Sequence, residues 1–164
     1  MHGVQTNCYI LYPFGRQLFE VTKAVISARM LSGPYRTDYL ARHWSRANPE
    51  GLCQLPGCNG SQGDLQHILL HCPALVETRK KIILHWSNFL VSHPWLFPVV
   101  AHHTLVDDKE HIQFLLDPSA LPMVILGAKS HPKMLQSCFY LARTWNFSVH
   151  LAREKIRKHF NISD

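Results

Sequence analysis

Three cysteines and one histidine lie within 20 residues of one another, with the spacing C-x4-C-x8-H-x4-C: Cys53, Cys58, His67 and Cys72. Thiolate sulfur and imidazole nitrogen are the ligands that Zn²⁺ prefers, and four protein ligands close its tetrahedral shell, as they do in structural sites. The pattern therefore predicts a structural zinc knuckle over residues 53–72. Such a site lacks the open coordination position that metal catalysis needs.

The spacing leaves the fourth ligand open. Cys72 follows His67 by five residues, which is about 500° on an ideal helix, or roughly 140° away from His67. Pro73 disfavours the helical conformation at Cys72, so the chain can turn there and bring the sulfur back to the ion. The alternative fourth ligand is His71, which shares a helix face with His67 and would give a two-Cys, two-His site. A further interpretation is that these side chains are merely buried, without a metal.

The bulk composition limits the class of protein. A chain of 164 residues with 46% apolar residues can bury a sizeable core, and its net charge of +6 favours an anionic partner such as RNA or DNA. Five cysteines is an odd count, and no secretory signal is visible. We therefore expect an intracellular location, nucleus or cytoplasm, with cysteines as metal ligands rather than disulfides. The longest apolar stretches, such as 121–127, are too short to span a bilayer, so no membrane association is expected.

Two helices are predicted before the cysteines. Apolar residues with helical spacing predict the first over residues 16–31: Leu18, Val21, Val25 and Leu31. Gly33 and the proline after it end this helix. Thr37 is the predicted N-cap of a second helix that runs to Arg46. Residues 1–15 show little periodicity and are interpreted as a linker or a truncated edge.

Helical patterns also continue through and after the cysteines. Asp64 is the predicted cap of a short helix over 65–70, and Pro73 suits the first turn of a longer helix to about Val91. The buried stripe expected on that longer helix is Ile82, Ile83, Trp86, Phe89 and Leu90. Residues 93–98, with two prolines, are expected to break the chain.

The remaining elements lie towards the C-terminus. Asp107 and Glu110 match a capping box for a helix from Asp108 to Leu116. Residues 121–128 form a short apolar segment that fits helix or strand. The longest helical pattern covers 132–160, and one face recurs at steps of three and four: Leu135, Phe139, Ala142, Trp145, Val149, Ala152 and Ile156. Leu141, Phe147 and Leu151 lie off this stripe, so a second face is also expected to be covered.

These elements predict a mainly α fold. It is a small helical domain with a CCHC zinc knuckle, residues 53–72, between an N-terminal helix pair and a C-terminal helical part. The regions are 1–15, 16–92 and 93–164.

The cysteine stretch resembles the zinc-knuckle segment near the C-terminus of reverse transcriptases from non-LTR (LINE-type) retrotransposons. The matching residues are Ala28 to Thr37, Leu40, His43-Trp44, Gly51-Leu52-Cys53, Cys58, Gly63 to Leu75, and Arg79. The resemblance is strongest over 28–79 and fainter over 114–122 and 141–157. It implies that Cys53, Cys58, His67 and Cys72 are the ligands. It also implies a role in holding template RNA or target DNA beside a polymerase, in association with a reverse transcriptase.

The polymerase that such a family needs is not visible. Too few residues precede the knuckle for a reverse transcriptase palm. The one pair of adjacent aspartates, Asp107-Asp108, lies downstream and lacks the aromatic residue expected two positions before it. No endonuclease constellation, deaminase signature or phosphate-binding glycine loop occurs either. We therefore expect no enzyme activity, and we interpret the chain as a stand-alone C-terminal piece.

Seven basic residues flank the predicted knuckle and could form one nucleic-acid-binding surface: Arg29, Arg36, Arg42, Arg46, Arg79, Lys80 and Lys81. Tyr35, Tyr39 and Trp44 could stack on unpaired bases there. The alternative is that the aromatic rings fill the core and the positive charge only keeps the domain soluble.

Two other functions stay open. The domain could be a zinc-stabilised protein-interaction domain that docks a partner through residues 95–97, or a degenerate element fragment without selected function. The histidines outside the knuckle are interpreted as surface or half-buried side chains: His85, His102, His103, His131 and His150. Cys8 and Cys138 are expected to be inert.

Overall fold

The protein is mainly helical, as the sequence predicts. The computed structural model describes residues 18–33, 35–43 and 47–162, and no β-strand occurs among them. The α-helices are α1 (Leu18–Ser32), α2 (Asp38–Ala41), α3 (Val76–Ser92), α4 (Phe97–Leu105), α5 (Asp108–Leu116), α6 (Pro122–Ser130) and α7 (Met134–His159). A π-helical segment covers His67–His71, and single 3₁₀ turns cover Pro73–Leu75, Pro94–Leu96 and Pro118–Ala120. The predicted linker, 1–15, lies outside the described residues.

Helix α7 is the element on which the others pack. It contacts α1, α3, α5 and α6, and 13 of its 26 residues are buried. The predicted face of α7 is covered, with Phe139, Trp145 and Val149 buried. The second face is covered only in part, because Leu141 is fully buried while Leu151 is 50% exposed.

Aromatic side chains fill the centre of the core. The Trp86 ring lies between Phe114 and Trp145, with ring centroids 5.9 and 5.1 Å away. Beside them, the buried Asn146 side chain donates a hydrogen bond to the Leu115 carbonyl at 2.7 Å. This bond pairs the buried Asn146 amide nitrogen and links α7 to α5.

Two predicted helix caps are present. The Thr37 hydroxyl accepts a hydrogen bond from the Leu40 N–H at 3.1 Å, and the Asp107 carboxylate accepts one from the Glu110 N–H at 2.8 Å. Helix α5 has the predicted bounds, but α2 ends at Ala41 and does not continue toward Arg46. Its backbone is bound elsewhere, since the Tyr39 N–H donates to the Gly63 carbonyl at 3.1 Å.

Two expectations about which helix faces are buried need correction. The buried residues of α1 are led by Ala24, Ile26 and Met30, while Val25 from the predicted stripe is exposed. Apolar residues occur on two neighbouring faces of α1. Tertiary packing buries the face of Ala24, Ile26 and Met30 rather than the face of Val25. On α3, Ile83 is 52% exposed, because α7 covers the face of Ile82 and Trp86.

The segment expected to break the chain, 93–98, does separate α3 from α4, and its last two residues also start α4. Pro98 lies in the first turn of this helix, where its missing N–H is not needed. Residues 121–128, which fitted either helix or strand, form most of α6, with Pro122 likewise in the first turn. Pro98 and Pro122 therefore both mark helix starts.

Candidate metal centre

The first two cysteines lie in a tight loop, residues 51–63, called the cysteine loop below. Its two arms pair through backbone hydrogen bonds: the Cys53 N–H donates to the Ser61 carbonyl, and the Gly63 N–H to the Gly51 carbonyl, each at 2.8 Å. Gly51 has a φ of +68°, and a Cβ there would lie 2.7 Å from the Tyr39 Cα. Only glycine fits this position, so the loop is closed tightly against α2.

The tip of the loop brings the two cysteines together. The Cys58 N–H donates to the Leu55 carbonyl at 3.3 Å across a turn that contains Pro56 and Gly57. Gly57 has a φ of +81°, a conformation that glycine adopts without strain. The two thiols consequently face the same space under the turn, as the sequence predicts.

The last two members of the cluster come from the π-helical segment. Its start is capped as expected, because the Asp64 carboxylate accepts a hydrogen bond from the His67 N–H at 2.7 Å. At its end, the Cys72 N–H donates to the carbonyl of His67, five residues earlier, at 2.6 Å. Cys72 itself has φ −55° and ψ 117°, outside the helical region, as expected for a residue before proline.

The π turn supplies part of the geometry that the sequence did not suggest. An α-helix would set Cys72 and His67 far apart around the axis, whereas the hydrogen bonds of a π turn join residues five positions apart and give a wider winding. His67 and Cys72 therefore lie nearly one above the other. The break before Pro73 then completes the approach. The break before Pro73 could be predicted from the sequence, whereas no residue type indicated the π turn.

These elements place four ligand atoms in one buried cluster, called the Cys cluster below: Cys53, Cys58, His67 and Cys72. All four atoms lie within 4.8 Å of one another, and the Cys58 and Cys72 sulfurs are 3.3 Å apart. Two thiolates on one tetrahedral zinc ion would be roughly 3.8 Å apart, given Zn–S bonds of about 2.3 Å. His67 Nε2 is buried and has no hydrogen-bond partner. The cluster thus has the donor set and spacing to hold a metal ion.

The electrostatics of the Cys cluster favour a cation. The pKa of Cys53 is lowered to about 5, chiefly because the Cys72 thiol donates a hydrogen bond to its sulfur. The same hydrogen bond raises the pKa of Cys72, and burial raises that of Cys58. Without a cation, the first thiolate therefore opposes ionisation of the other two thiols. A divalent ion would remove this penalty and favour three thiolates.

His71, the alternative fourth ligand, faces away from the Cys cluster. Its side chain is 48% exposed, and Nε2 lies 2.6 Å from a carboxylate oxygen of Asp108. The four atoms that converge belong to Cys72 and the three other residues, so the structure favours the set that the resemblance implies.

Arg79 does not lie on the predicted basic surface. Its side chain is buried, and Nη2 donates a hydrogen bond to the Cys72 carbonyl at 2.7 Å. Burial lowers the pKa of Arg79, and the nearby Cys72 and Cys58 sulfurs oppose that shift. Arg79 holds the backbone where it leaves the π turn. The sequence placed it in a basic run with Lys80 and Lys81, but only one face of α3 turns towards the Cys cluster.

A buried ion cluster, also unpredicted, joins α2 to α7 beside the cysteine loop. Asp38 is 5% exposed, and one of its carboxylate oxygens accepts hydrogen bonds from Arg157 at 2.9 Å and Arg153 at 3.5 Å. Gly63 packs directly on Asp38, since a Cβ there would lie 2.5 Å from the Asp38 Cβ. The cysteine loop therefore packs against this buried ion cluster. In the sequence, the two arginines were interpreted only as part of the basic end of the last helix.

The other predicted nucleic-acid-binding residues are dispersed. Arg29 and Arg36 are exposed, and the Arg42 guanidinium lies 3.8 Å from the Tyr39 ring centroid. Lys80 pairs with Glu77 at 2.7 Å. Arg46 and Trp44 lie outside the described residues. Tyr35 is buried, with its hydroxyl 3.2 Å from His150, so it is unavailable for base stacking.

Lys81 lines a cleft between α1, α3 and α7, called the lysine cleft below. Its volume is about 450 Å³, and its lining residues are Lys23, Thr78, Lys81, Ile82, His85, Tyr140, Thr144, Phe147, Ser148 and Leu151. Inside it, the His85 ring lies 3.1 Å from the Tyr140 hydroxyl. The lining combines exposed Lys81 and buried Lys23 with hydroxyl and apolar side chains, which suits an anion attached to an apolar body.

Comparisons with known proteins give no further assignment. No family model matches this chain, and no match was found among the curated proteins or the solved structures. In the part of the chain that the structure describes, no helix combines the length and apolar character needed to cross a membrane. Cys138 is fully buried, and burial raises its pKa to about 12, in keeping with the expected inert thiol.

Proposed function

We propose that this chain is a non-catalytic zinc-binding module that contacts nucleic acid. We further propose that it corresponds to the C-terminal zinc-knuckle segment of a non-LTR retrotransposon reverse transcriptase and associates with such a polymerase. The observation that carries the proposal is the buried Cys cluster, with one nitrogen and three sulfur donors. A polymerase reading frame directly upstream in the genome would support the link to a reverse transcriptase.

The chemistry of the cluster favours Zn²⁺ over other ions. Three thiolates and one imidazole form a soft donor set, which excludes Mg²⁺ and Ca²⁺, and four protein ligands leave no position open for a substrate. His67 Nε2 supplies an otherwise unpaired lone pair at the cluster. When bound, Zn²⁺ would join the cysteine loop to the π turn and neutralise the thiolates. Its role is structural.

Metal content of purified protein tests this assignment. We expect one tightly bound zinc ion per chain, lost in Cys72→Ser and retained in His71→Ala. The His71 variant is a matched control, because His71 neighbours Cys72 but is half exposed. Zinc that is lost from His71→Ala but kept in Cys72→Ser would overturn the ligand set.

The support for nucleic-acid binding is electrostatic. The chain carries a net charge of +6, and Arg29 near the end of α1 and Arg36 after it are both exposed. The lysine cleft adds Lys81 and Lys23, next to hydroxyls that can bind phosphate oxygens. Cations around an apolar floor are typical of surfaces that hold unpaired nucleotides, whether RNA or DNA.

Salt-dependent binding to a single-stranded RNA tests this part. We expect affinity to fall linearly with salt on logarithmic axes, and Lys81→Ala to reduce the slope by about 0.7, the share of one phosphate contact on a single strand. Lys129→Ala is the control, since Lys129 is exposed and does not line the cleft. Binding that is absent or indifferent to salt would contradict phosphate recognition. A single-stranded DNA of the same sequence separates the two nucleic acids.

An apolar groove between α3 and α4 favours the second candidate, a zinc-stabilised protein-interaction domain. The groove has a volume of about 230 Å³, and Ile83, Phe97 and Leu105 on its rim are more than half exposed. Of the segment 95–97, Leu96 is fully buried and Trp95 is stacked on His131, which leaves Phe97 as its exposed side chain. A Phe97→Ser variant that loses a partner while RNA binding is unchanged would favour this function.

A further inference from the structure

We propose that His102, His103 and Glu110 form a second, open binding site for a divalent transition-metal ion, called the corner site below. His103 Nδ1 lies 2.9 Å from Glu110 Oε2, and His102 Nε2 lies 3.7 Å from the same oxygen. One ligand atom from each residue falls within 4.8 Å of the others. The site is separate from the Cys cluster and does not depend on the function proposed above.

The fold holds these groups in place before any metal binds. His102 and His103 come from the last turn of α4, and Glu110 comes from the first turn of α5. The His103 side chain is 3% exposed, and its ring lies nearly parallel to the buried Phe114 ring. The Asp107 cap fixes the start of α5 and therefore the position of Glu110. A site built on capped helix ends needs little ordering when it binds.

The hydrogen bonding at His103 allows a metal ion to bind Nδ1 while the ring proton lies on Nε2. Nδ1 bonds to Glu110, while Nε2 is buried without a hydrogen-bond partner. Whichever nitrogen carries the ring proton, Nε2 stays unpaired. Moving the proton to Nε2 therefore sacrifices only the Glu110 hydrogen bond, which metal coordination replaces. The 3.7 Å from His102 to Glu110 is too long for a hydrogen bond but leaves space for an ion between the two groups.

The donor set indicates which ions would bind. Two imidazole nitrogens and one carboxylate oxygen suit Zn²⁺, Co²⁺, Ni²⁺ or Cu²⁺. His102 is 46% exposed and Glu110 37% exposed, so water completes the coordination shell. With three ligands and no thiolate, the corner site should bind more weakly than the Cys cluster and should exchange its metal readily.

Cobalt titration of protein already loaded with zinc tests the corner site. We expect one equivalent of Co²⁺ to bind with visible absorption but without the sulfur-to-cobalt bands that thiolate ligands produce. His102→Ala should weaken this binding at least about tenfold, since even the loss of a group that only orients a ligand typically costs that much. Because His102 is exposed, the variant should fold normally. Glu110→Gln should give the same loss while keeping a side chain that can hydrogen-bond to His103.

His71→Ala is the matched control, because His71 is equally exposed and also lies beside a carboxylate, but without a third donor. It should leave the second equivalent unchanged. The proposal is overturned if no Co²⁺ binds beyond the zinc, or if His71→Ala weakens binding as much as His102→Ala. Sulfur-to-cobalt bands would also overturn it, since they would place the cobalt in the Cys cluster.

Discussion

In α7 and in the cysteine loop, different groups are buried. Half of the 26 residues of α7 are buried, and apolar side chains such as Leu141, Trp145 and Val149 lie at its centre. In the cysteine loop, Leu55 is the one buried apolar side chain apart from the two cysteines. The helices hold together by removing apolar surface from water, whereas the loop buries too little of it. We infer that the loop depends on the proposed zinc ion and that α7 with its helices does not.

Removing one ligand should separate the two regions most strongly. We expect Cys58→Ser to lose its zinc, whose binding free energy in small domains is about 10–16 kcal/mol. Hydrogen exchange should then accelerate across 51–72 and change little in the centre of α7. Cys138→Ala is the control, because that thiol is buried away from the Cys cluster, and it should keep its zinc. If α7 loses protection together with the loop, the two regions are one cooperative unit.

Asp38 joins the two regions, so its removal should affect both. Asp38→Asn leaves two buried arginines without their shared carboxylate, which costs about 3–5 kcal/mol when a buried pair is broken. We expect a matching drop in the free energy of unfolding, measured by urea denaturation. Glu77→Gln removes an exposed, solvent-screened ion pair and should lower the free energy of unfolding far less than Asp38→Asn does. Equal effects of the two variants would show that the buried ion cluster of Asp38 contributes little to the free energy of unfolding.

Acid should affect the helices through a group outside the Cys cluster. Burial lowers the pKa of His111 to about 4, so the folded protein binds this proton less readily than the unfolded chain. The stabilisation is complete above about pH 6.5 and is lost as the pH falls through the folded pKa. At pH 5 the free energy of unfolding should therefore be about 2 kcal/mol lower than at pH 7.5.

Substitution separates this effect from the acid release of zinc. His111→Phe should remove that part of the pH dependence, as measured by denaturation at both pH values in zinc-saturated protein. His85→Phe, which changes an exposed histidine, should keep the pH dependence. An unchanged pH dependence in His111→Phe would assign the acid response to other groups.

The sequence was informative where a local signal determined the structure. The four candidate ligands could be identified from donor type and spacing, and the caps at Thr37 and Asp107 from a single side chain each. It was uninformative where tertiary packing chose between local alternatives. Both faces of α1 offered apolar residues, and Pro98 could break a helix or start one. The π winding before Cys72 leaves no mark in the residue types of 67–72.

For Arg79, the role predicted from the sequence differs from the role that the structure indicates. As part of a basic run it would contact phosphates, whereas the structure binds it to the Cys72 carbonyl. Groups that orient metal ligands in this way contribute about tenfold or more to affinity, about 1.4 kcal/mol. We therefore expect Arg79→Met to bind zinc about tenfold more weakly in competition with a chelator. Its RNA affinity at saturating zinc should be unchanged.

Lys80→Met removes the same charge one residue away, on an exposed side chain, and should leave zinc affinity intact. The opposite pattern, with weaker RNA binding and normal zinc affinity in Arg79→Met, would restore Arg79 to the nucleic-acid surface. It would also mean that the cysteine loop holds Cys72 in place without help from α3. The region that depends on zinc would then end before Pro73, and Arg79 would contribute only to the packed helices.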